Sequence, residues 1–144
     1  DGQLTFDIDL ARSQSSDNPV YYIQYAHARV CSIFRKLETE EQSWNQETGL
    51  AALSALTLET EKEIMVKVGR FPEIVRKAAE NNEPHMAANY MYDLAGDFHT
   101  WYNSEKTLVE DTDLRSARLT LAEAVRQVLA NGLDLLGVSA PSKM

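Results

Sequence analysis

The stretch TDLRSARLTLAEAVRQVLANGLDLL, residues 112–136, decides the fold class. Its apolar residues recur mostly at steps of three and four, which places them on one face of a helix that turns about 100° per residue. These residues are Leu114, Ala117, Leu121, Val125, Val128, Leu129 and Leu136. Gly137 follows as a helix stop. Arg118 falls at the edge of the apolar stripe, where we expect a structural salt bridge or hydrogen bond.

Four further helices are predicted before this stretch, and they cover residues 19–37, 60–67, 72–81 and 84–104. Asp17 or Asn18 caps the first, ahead of Pro19, and Thr57 caps the second. The acidic segment 38–56 between these two helices is predicted to be a loop. Five helical patterns joined by short links indicate an all-α helical bundle.

Residues 1–17 have a different pattern from the helical remainder. The apolar residues between positions 4 and 10 alternate with polar ones, which is typical of a strand. Because a strand of this length is not stable alone, we interpret residues 1–17 as the tail of a preceding domain. Residues 18–144 then form the helical domain.

Length and composition fit one globular domain. The chain has 144 residues, of which 44% are hydrophobic and 25% are charged, and this is enough to build a core. No apolar run approaches the roughly 18 residues of a membrane-spanning helix, and no basic-then-apolar leader begins the chain. Together with the single cysteine, Cys31, these features favour a reducing, cytoplasmic location without a membrane partner.

Charge is distributed unevenly along the chain. The formal net charge of −8 excludes a uniformly basic nucleic-acid-binding protein and argues against DNA as a partner, because phosphate contacts need concentrated positive charge. Residues 19–37 nevertheless contain Arg29, Arg35 and Lys36 and no acid. This segment and the C-terminal residues 112–144 are the places where a local cationic surface can form.

No recognised catalytic motif is present in the sequence. It lacks a Gly-rich phosphate loop, a G-x-S-x-G elbow and an H-E-x-x-H zinc motif. His27 and Cys31 lie one helical turn apart, but no third or fourth ligand is near them in sequence, so a structural pair is favoured over a metal site. Asp93 and Asp97 have the same spacing, which a solvated acidic helix face explains. We predict neither catalysis nor a metal or cofactor for these residues.

Neighbouring aromatic residues indicate a surface role for some of their rings. Tyr21 and Tyr22 point about 100° apart on a helix, as do Trp101 and Tyr102, so both members of a pair do not bury against the same neighbour. Aromatic side chains at helical spacing usually belong to a core, yet one ring of each pair is expected at the surface. Exposed rings beside arginines stack on unpaired RNA bases.

The polar flank of the last predicted helix supplies further candidates. Arg115 and Arg126 lie on this flank together with Asn131, and both arginines are candidates for phosphate contacts. A solvated helix face is an alternative of at least equal weight.

Residues 18–29, N-P-V-Y-Y-I-Q-Y-A-H-A-R, form the most distinctive motif of the chain. They resemble the signature at the junction of the catalytic and anticodon-binding domains in arginyl-tRNA synthetases. Residues 6–11 resemble the end of that catalytic domain, and residues 124–133 and 136–144 resemble the C-terminus of the family. The resemblance covers nearly the whole chain.

The four-letter D-A-L-R pattern that names this domain type is partly kept. Leu114-Arg115 matches its last two letters, whereas Thr112-Asp113 stands where Asp-Ala is usual. No role is therefore assigned to Thr112 or Asp113.

The resemblance implies a helical bundle of the class I aminoacyl-tRNA synthetase anticodon-binding type, which holds the anticodon stem-loop of tRNA-Arg. It also implies, as a second partner, the catalytic domain of the same arginine–tRNA ligase, which uses ATP. The ATP-binding signatures of that domain, of H-I-G-H and K-M-S-K-S type, are absent here, so no catalysis is expected from this fragment alone. The candidate tRNA contacts are Trp101, Tyr102, Arg115, Arg126, Asn131, Lys143 and Met144. The signature helix contains three further candidates for contacts with either tRNA or the catalytic domain. They are Tyr22, Gln24 and Arg29.

A protein-interaction module is the alternative function. The net charge of −8 supports an acidic helical domain that associates with itself or with another protein and repels nucleic acid. The long matches at both ends of the bundle, in the right order, favour the tRNA-binding domain.

Overall fold

A computed structural model describes residues 18–144 of the chain. Within this range it contains six α-helices, one 3-10 turn and no strand, so the all-α prediction is confirmed. The elements are α1 (Pro19–Thr39), α2 (Gln46–Ala51), the 3-10 turn (Leu53–Ala55), α3 (Glu59–Gly69), α4 (Phe71–Glu80), α5 (His85–Ser104) and α6 (Thr112–Leu135). None of these helices combines the length and the apolar composition needed to cross a membrane. The strand pattern and the domain tail predicted for residues 1–17 lie outside the described residues.

Helix α6 occupies the centre of the bundle. It packs against α1, α2, the 3-10 turn, α3 and α5, while α4 packs against α3 and α5. The predicted apolar stripe is buried in its middle, at Ala117, Leu121, Val125, Val128 and Leu129, and half-buried at its two ends. Leu119, Ala122 and Leu133 are also buried, because α6 has neighbours on more than one side.

The start of α1 agrees with its sequence signal, and the start of α3 does not. The Asn18 Oδ1 atom accepts hydrogen bonds from the backbone N–H groups two and three residues further on, at 3.0 and 3.2 Å, which confirms Asn18 as the cap. The predicted cap at Thr57 is wrong. Leu58 holds the N-cap position of α3, and its backbone N–H donates to Glu61 Oε1 at 3.2 Å. A carboxylate from inside the first turn thus satisfies a free donor at the helix start.

The end of α6 turns the chain back over the bundle. Gly137 has a φ of +72°, a left-handed conformation that glycine adopts without strain. Its N–H donates to the Asp134 carbonyl, and the Val138 N–H donates to the Leu133 carbonyl, both at 2.9 Å. These bonds close the helix C-terminus and confirm the predicted stop. The C-terminal segment, residues 138–144, begins here.

The loop predicted for residues 38–56 is wrong over residues 46–51, which form α2. Asn45 caps this short helix, and the preceding Trp44 anchors it. The Trp44 Nε1 group donates to Thr120 Oγ1 of α6 at 2.9 Å, and its ring packs edge-on against Phe34 of α1. The helix therefore depends on tertiary contacts, which its polar, aperiodic sequence does not predict.

A buried ion pair joins three helices inside the core. Glu61 is 0% exposed, and its Oε2 atom accepts from Arg118 Nε at 2.9 Å and from Trp101 Nε1 at 3.1 Å. Arg118 also donates to the Lys106 carbonyl at 2.8 Å and to the Glu105 carboxylate at 3.3 Å. The structural salt bridge predicted for Arg118 is confirmed. With every partner in place, the cost of burying both charges is offset.

Replacing Glu61 with Ala should lower the free energy of unfolding by about 3 kcal/mol or more, because it leaves the Arg118 guanidinium buried and poorly paired. Urea denaturation followed by circular dichroism measures this loss. Glu63→Ala is the matched control, since Glu63 lies on the same helix and is exposed, and it should change stability by no more than about 0.5 kcal/mol. Equal losses in the two variants would contradict the role of the ion pair.

Two glycines should respond oppositely to alanine substitution. A Cβ atom at Gly49 would overlap Thr120 Oγ1 and lie 2.9 Å from Trp44 Nε1, whereas a Cβ at Gly69 meets nothing within 4 Å. We expect Gly49→Ala to destabilise the fold by about 1–3 kcal/mol through overpacking. Gly69→Ala should stabilise it by about 0.5–1 kcal/mol through helix propensity. Thermal unfolding of both variants tests this, and a stabilised Gly49→Ala would contradict the close approach of α2 to α6.

Candidate nucleic-acid interface

A cleft of about 390 Å³ opens between α1, the end of α5 and the C-terminal segment. Its lining residues are Tyr25, Ala28, Arg29, Ser32, Arg35, Tyr102, Lys143 and Met144. Three of these side chains are cationic and none is a carboxylate. In a chain whose net charge is −8, this cleft is a local reversal of sign. The cationic surface that the sequence left open for residues 19–37 and the C-terminal residues is present here.

The α1 wall of the cleft follows from helical spacing. Tyr25, Arg29, Ser32 and Arg35 are separated by steps of four, three and three residues, which places them along one side of the helix. Helix α5 packs against α1, and this packing brings Tyr102 to the opposite wall.

The C-terminal segment forms the third wall because side chains of α1 hold its backbone. Each contact joins one α1 side chain to a main-chain carbonyl of the segment. The contacts are Gln24 Nε2 to Ser139 at 2.8 Å, His27 Nδ1 to Pro141 at 2.9 Å and Arg35 Nη1 to Ser142 at 2.8 Å. The segment thus runs along α1 in the same direction as the helix, and Lys143 and Met144 reach the cleft.

Arg29 lies at the centre of the cleft between two tyrosine rings. Its Cζ atom is 4.5 Å from the ring centroid of Tyr25 and 4.5 Å from that of Tyr102. Its Nη1 group donates to His99 Nδ1 at 3.0 Å and to Asn103 Oδ1 at 3.5 Å. All of these partners are neutral, so the contacts orient the guanidinium through cation–π and hydrogen bonds and leave its charge uncompensated.

His99 holds Arg29 in one orientation from inside the bundle. The imidazole is 6% exposed, and its Nε2 group donates to the Tyr22 carbonyl at 3.1 Å. With the proton on Nε2, the Nδ1 atom is free to accept from Arg29. Burial and the nearby guanidinium lower the pKa of His99 below its ordinary value of 6.5, although the Tyr22 carbonyl opposes them. The neutral imidazole is therefore the form that the fold selects.

The predicted contacts divide into those that line the cleft and those that do not. Tyr102, Lys143, Met144 and Arg29 come together there. Gln24 holds the Ser139 backbone beside them.

The RNA contact predicted for Trp101 is wrong, because this side chain is buried in the core. Its side chain is 0% exposed, and Nε1 donates to Glu61 inside the core. Tyr102, the next residue, is only half-buried. One ring of the pair is thus at the surface, as expected, but Trp101 is the buried one.

Three other predicted contacts lie outside the cleft. Arg126 forms two hydrogen bonds to Glu123, at 2.7 and 2.6 Å. Burial favours the protonated form of Glu123, but the hydrogen bonds from Arg126 and Gln127 outweigh it and lower the pKa of that carboxyl. Arg115 donates to main-chain carbonyls just before α6, and Asn131 is exposed on α6. Their assignment as RNA contacts stays a prediction.

Tyr22 lies beside the cleft. Its ring packs against those of Tyr92 and His99, with centroids 5.1 and 4.5 Å away. Tyr22 thus joins α1 to the α5 residue that contacts Arg29.

Two of the aromatic or charged cleft residues, Tyr25 and Arg35, were not among the predicted contacts. Both share the α1 side that carries Arg29, so the helical spacing of these three residues was the available signal. What the spacing leaves unspecified is which side of α1 faces the C-terminal segment.

The part of the chain that the structure covers brings no three His, Cys, Asp or Glu side chains close enough together to hold a metal ion. His27 Nδ1 lies 3.8 Å from Cys31 Sγ and also contacts the Pro141 carbonyl. This contact explains the His27–Cys31 spacing as a packing feature.

The fold and the cleft define a helical domain with a cationic, aromatic cleft on its surface. Residues 23–144 match the DALR anticodon binding domain, and the chain belongs to that family. The resemblance inferred from the sequence is thereby confirmed.

Several bacterial arginine–tRNA ligases are similar to this chain over all or nearly all of its length. One from Coxiella burnetii (strain RSA 331 / Henzerling II) is 54% identical over 144 residues, which is 100% of this chain and 25% of the relative. Another from Thioalkalivibrio sulfidiphilus (strain HL-EbGR7) is 57% identical over 141 residues, 98% of this chain and 24% of the relative. The chain thus spans about a quarter of the length of these curated relatives.

Solved structures of arginyl-tRNA synthetases are also similar to this chain. An arginyl-tRNA synthetase of Thermus thermophilus matches with a TM-score of 0.78 and 34% identity, covering 96% of this chain and 23% of that one. A structure described as an arginyl-tRNA synthetase of Campylobacter jejuni matches with a TM-score of 0.80 and 27% identity, covering 98% and 30%.

The lowered pKa of His99 should make stability depend on pH. The unfolded chain takes up this proton first as pH falls, so the stabilising contribution is complete above the ordinary pKa of 6.5. It is lost as pH falls from there toward the lower pKa of the folded state. His99→Gln keeps a donor and an acceptor but does not titrate, so it should unfold with less pH dependence below about pH 7. Urea unfolding of both proteins across this range tests the expectation, and parallel curves would contradict it.

Proposed function

We propose that this chain is the tRNA-binding domain of an arginine–tRNA ligase and that its cleft holds unpaired nucleotides of the anticodon loop of tRNA-Arg. One observation carries the proposal. In a domain of the DALR anticodon-binding family, a cleft with three cationic side chains and no acidic side chain also contains two tyrosine rings and a methionine.

The chemistry of the cleft favours single-stranded RNA over a duplex. Tyr25 and Tyr102 offer aromatic faces, which stack on bases that have been splayed out of a helix. Arg35 and Lys143 supply positive charge for the adjoining phosphates. Met144 is 48% exposed and offers a polarizable, adaptable apolar surface for a base.

The net charge of −8 sets the strength of this contact. Long-range repulsion opposes the approach of a polyanion, so the isolated chain should bind RNA weakly. A longer ligase that also holds other parts of the same tRNA would raise the effective concentration of the loop at the cleft. A weak local contact is then sufficient.

The remaining predicted partners belong to that longer protein. The catalytic domain that binds ATP and attaches arginine to tRNA in the cytoplasm would lie outside these residues. Among the three signature-helix candidates, Arg29 faces the cleft, and we assign it to tRNA. We assign Gln24 to holding the C-terminal segment and Tyr22 to supporting His99.

Neutralising Lys143 should weaken RNA binding more than neutralising a lysine elsewhere. The probe is a stem-loop RNA that carries an arginine anticodon, compared with the same stem-loop with altered anticodon bases. We expect Lys143→Gln to lose about threefold or more in affinity at low salt and Tyr102→Ala about tenfold, through a lost phosphate contact and a lost stacking face. Because only three cations line the cleft, the plot of log affinity against log salt should have a slope no steeper than about −2.

Lys77→Gln is the matched control. Lys77 lies on α4 and pairs with Glu73 at 3.1 Å, away from the cleft, and its neutralisation should leave affinity unchanged within about twofold. Equal losses for both lysines, or a steep salt slope, would contradict binding in the cleft. No preference for the arginine anticodon together with concentration-dependent self-association would favour the protein-interaction module.

A further inference from the structure

His99 is the one buried titratable side chain that contacts the centre of the cleft, within the range that the structure describes. It accepts from Arg29 at 3.0 Å on one side and donates to the Tyr22 carbonyl at 3.1 Å on the other. Its ring also packs against the rings of Tyr22 and Tyr25, with centroids 4.5 and 5.5 Å away. The imidazole therefore contacts both the cation and one of the two rings that enclose it.

Arg29 depends on His99 because its other partners do not fix its orientation. A cation–π contact tolerates rotation of the guanidinium plane, and the hydrogen bonds to Asn103 and Tyr25 are long, at 3.5 and 3.4 Å. The bond to His99 is the short, directed one. Residues 18–144 provide no salt bridge to Arg29 within 4 Å.

The hydrogen bond to Arg29 exists only while the imidazole is neutral. The Tyr22 carbonyl keeps a proton on Nε2, so protonation of His99 adds the second proton on Nδ1. Two N–H donors would then face each other 3.0 Å apart, both positively charged. Arg29 would have to leave its place between the tyrosines.

The surroundings of His99 do not compensate a positive charge. The titratable groups that face it from α1 are Arg29, Tyr22 and Tyr25, while Tyr92 of its own helix lies behind Tyr22. The nearby Asp97 of α5 is engaged by Lys67 of α3 at 2.6 Å. Among the described residues, no charged side chain of α3, α4 or α6 forms a hydrogen bond or an ion pair with the imidazole. Burial and the Arg29 charge accordingly lower the pKa of His99.

We propose that His99 is a positioning residue for RNA recognition, whose neutral Nδ1 atom fixes the Arg29 guanidinium between Tyr25 and Tyr102. This inference rests on the proposed function and adds that the protonation state of His99 regulates RNA recognition. While His99 is neutral, Arg29 presents its remaining donors to a base in one orientation. Protonation of His99 releases Arg29 and lowers discrimination between loop sequences.

The test compares His99→Gln and His99→Ala with the unaltered 144-residue chain. The probes are a stem-loop RNA with an arginine anticodon and the same stem with a scrambled loop. The readout is the ratio of the two dissociation constants, measured at about pH 7.5 and at a pH below the His99 midpoint that NMR of the free chain records, because the pKa of His99 is lowered from its ordinary value of 6.5. The ratio cancels the sequence-independent attraction that any added positive charge exerts on both RNAs.

The unaltered chain should lose at least about threefold of its discrimination at the lower pH, the scale of one lost hydrogen bond. His99→Gln, which retains a donor and an acceptor, should keep discrimination within about twofold of the unaltered chain at the higher pH and show no pH dependence. His99→Ala should lose about three- to tenfold at both pH values. His85→Gln is the matched control, because His85 begins the same helix and lies beside Glu83, and it should behave like the unaltered chain.

A second measurement examines the His99–Arg29 contact without RNA. Side-chain NMR of the free chain should show the Arg29 guanidinium signals shifting with the same midpoint as the His99 imidazole. Arg29 signals that do not shift as His99 titrates would overturn the positioning role. Discrimination that still depends on pH in His99→Gln would also overturn it. If Arg29 follows His99 but the unaltered chain binds neither RNA at any pH, the proposed function fails and RNA discrimination by His99 fails with it.

Discussion

The buried carboxylate of Glu61 is the constraint on which the rest of the bundle depends. It accepts from Arg118 of α6 and from Trp101 of α5, and through Arg118 it is linked to the Lys106 carbonyl. A charge in the core is tolerated only when all of its partners are present. The pair therefore fixes α3, α5 and α6 relative to one another. Because it also ties down the chain directly after α5, it sets the place of Tyr102 at the cleft.

Several cations outside the cleft pair with carboxylates, whereas the arginines that line the cleft do not pair with any carboxylate of residues 18–144. Outside the cleft, Arg118, Arg126 and Lys67 all pair with carboxylates within 3.3 Å. Inside it, Arg29 has aromatic, imidazole and amide partners, and Arg35 donates to a backbone carbonyl. Neutral partners hold these side chains in place but leave their charge available to an anion. An acidic domain can in this way present one cationic surface.

Local signals predicted the helices well where an element is long and periodic. The spacing in α5 and α6, the Asn18 cap and the Gly137 stop are all present in the structure. Helix α2 was missed because its stability comes from the contact of Trp44 with α6, which no local pattern encodes. For the cleft, helical geometry required that Trp101 and Tyr102 point in different directions, but the ring that is buried depends on Glu61, 40 residues away in sequence.

The sequence by itself determined the family, the all-α class, the start of α1 at Asn18, the end of α6 at Gly137, and the concentration of cations without acids in residues 19–37. These properties are local, since they depend on spacing and on the intrinsic geometry of a helix. Only the tertiary structure decided that Arg29 lies between two tyrosines, that His99 orients it, and that the C-terminal segment closes the cleft. Apart from the Arg29–Tyr25 contact within α1, these contacts join residues at least 70 positions apart. Packing of the whole bundle, which no single segment specifies, brings them together.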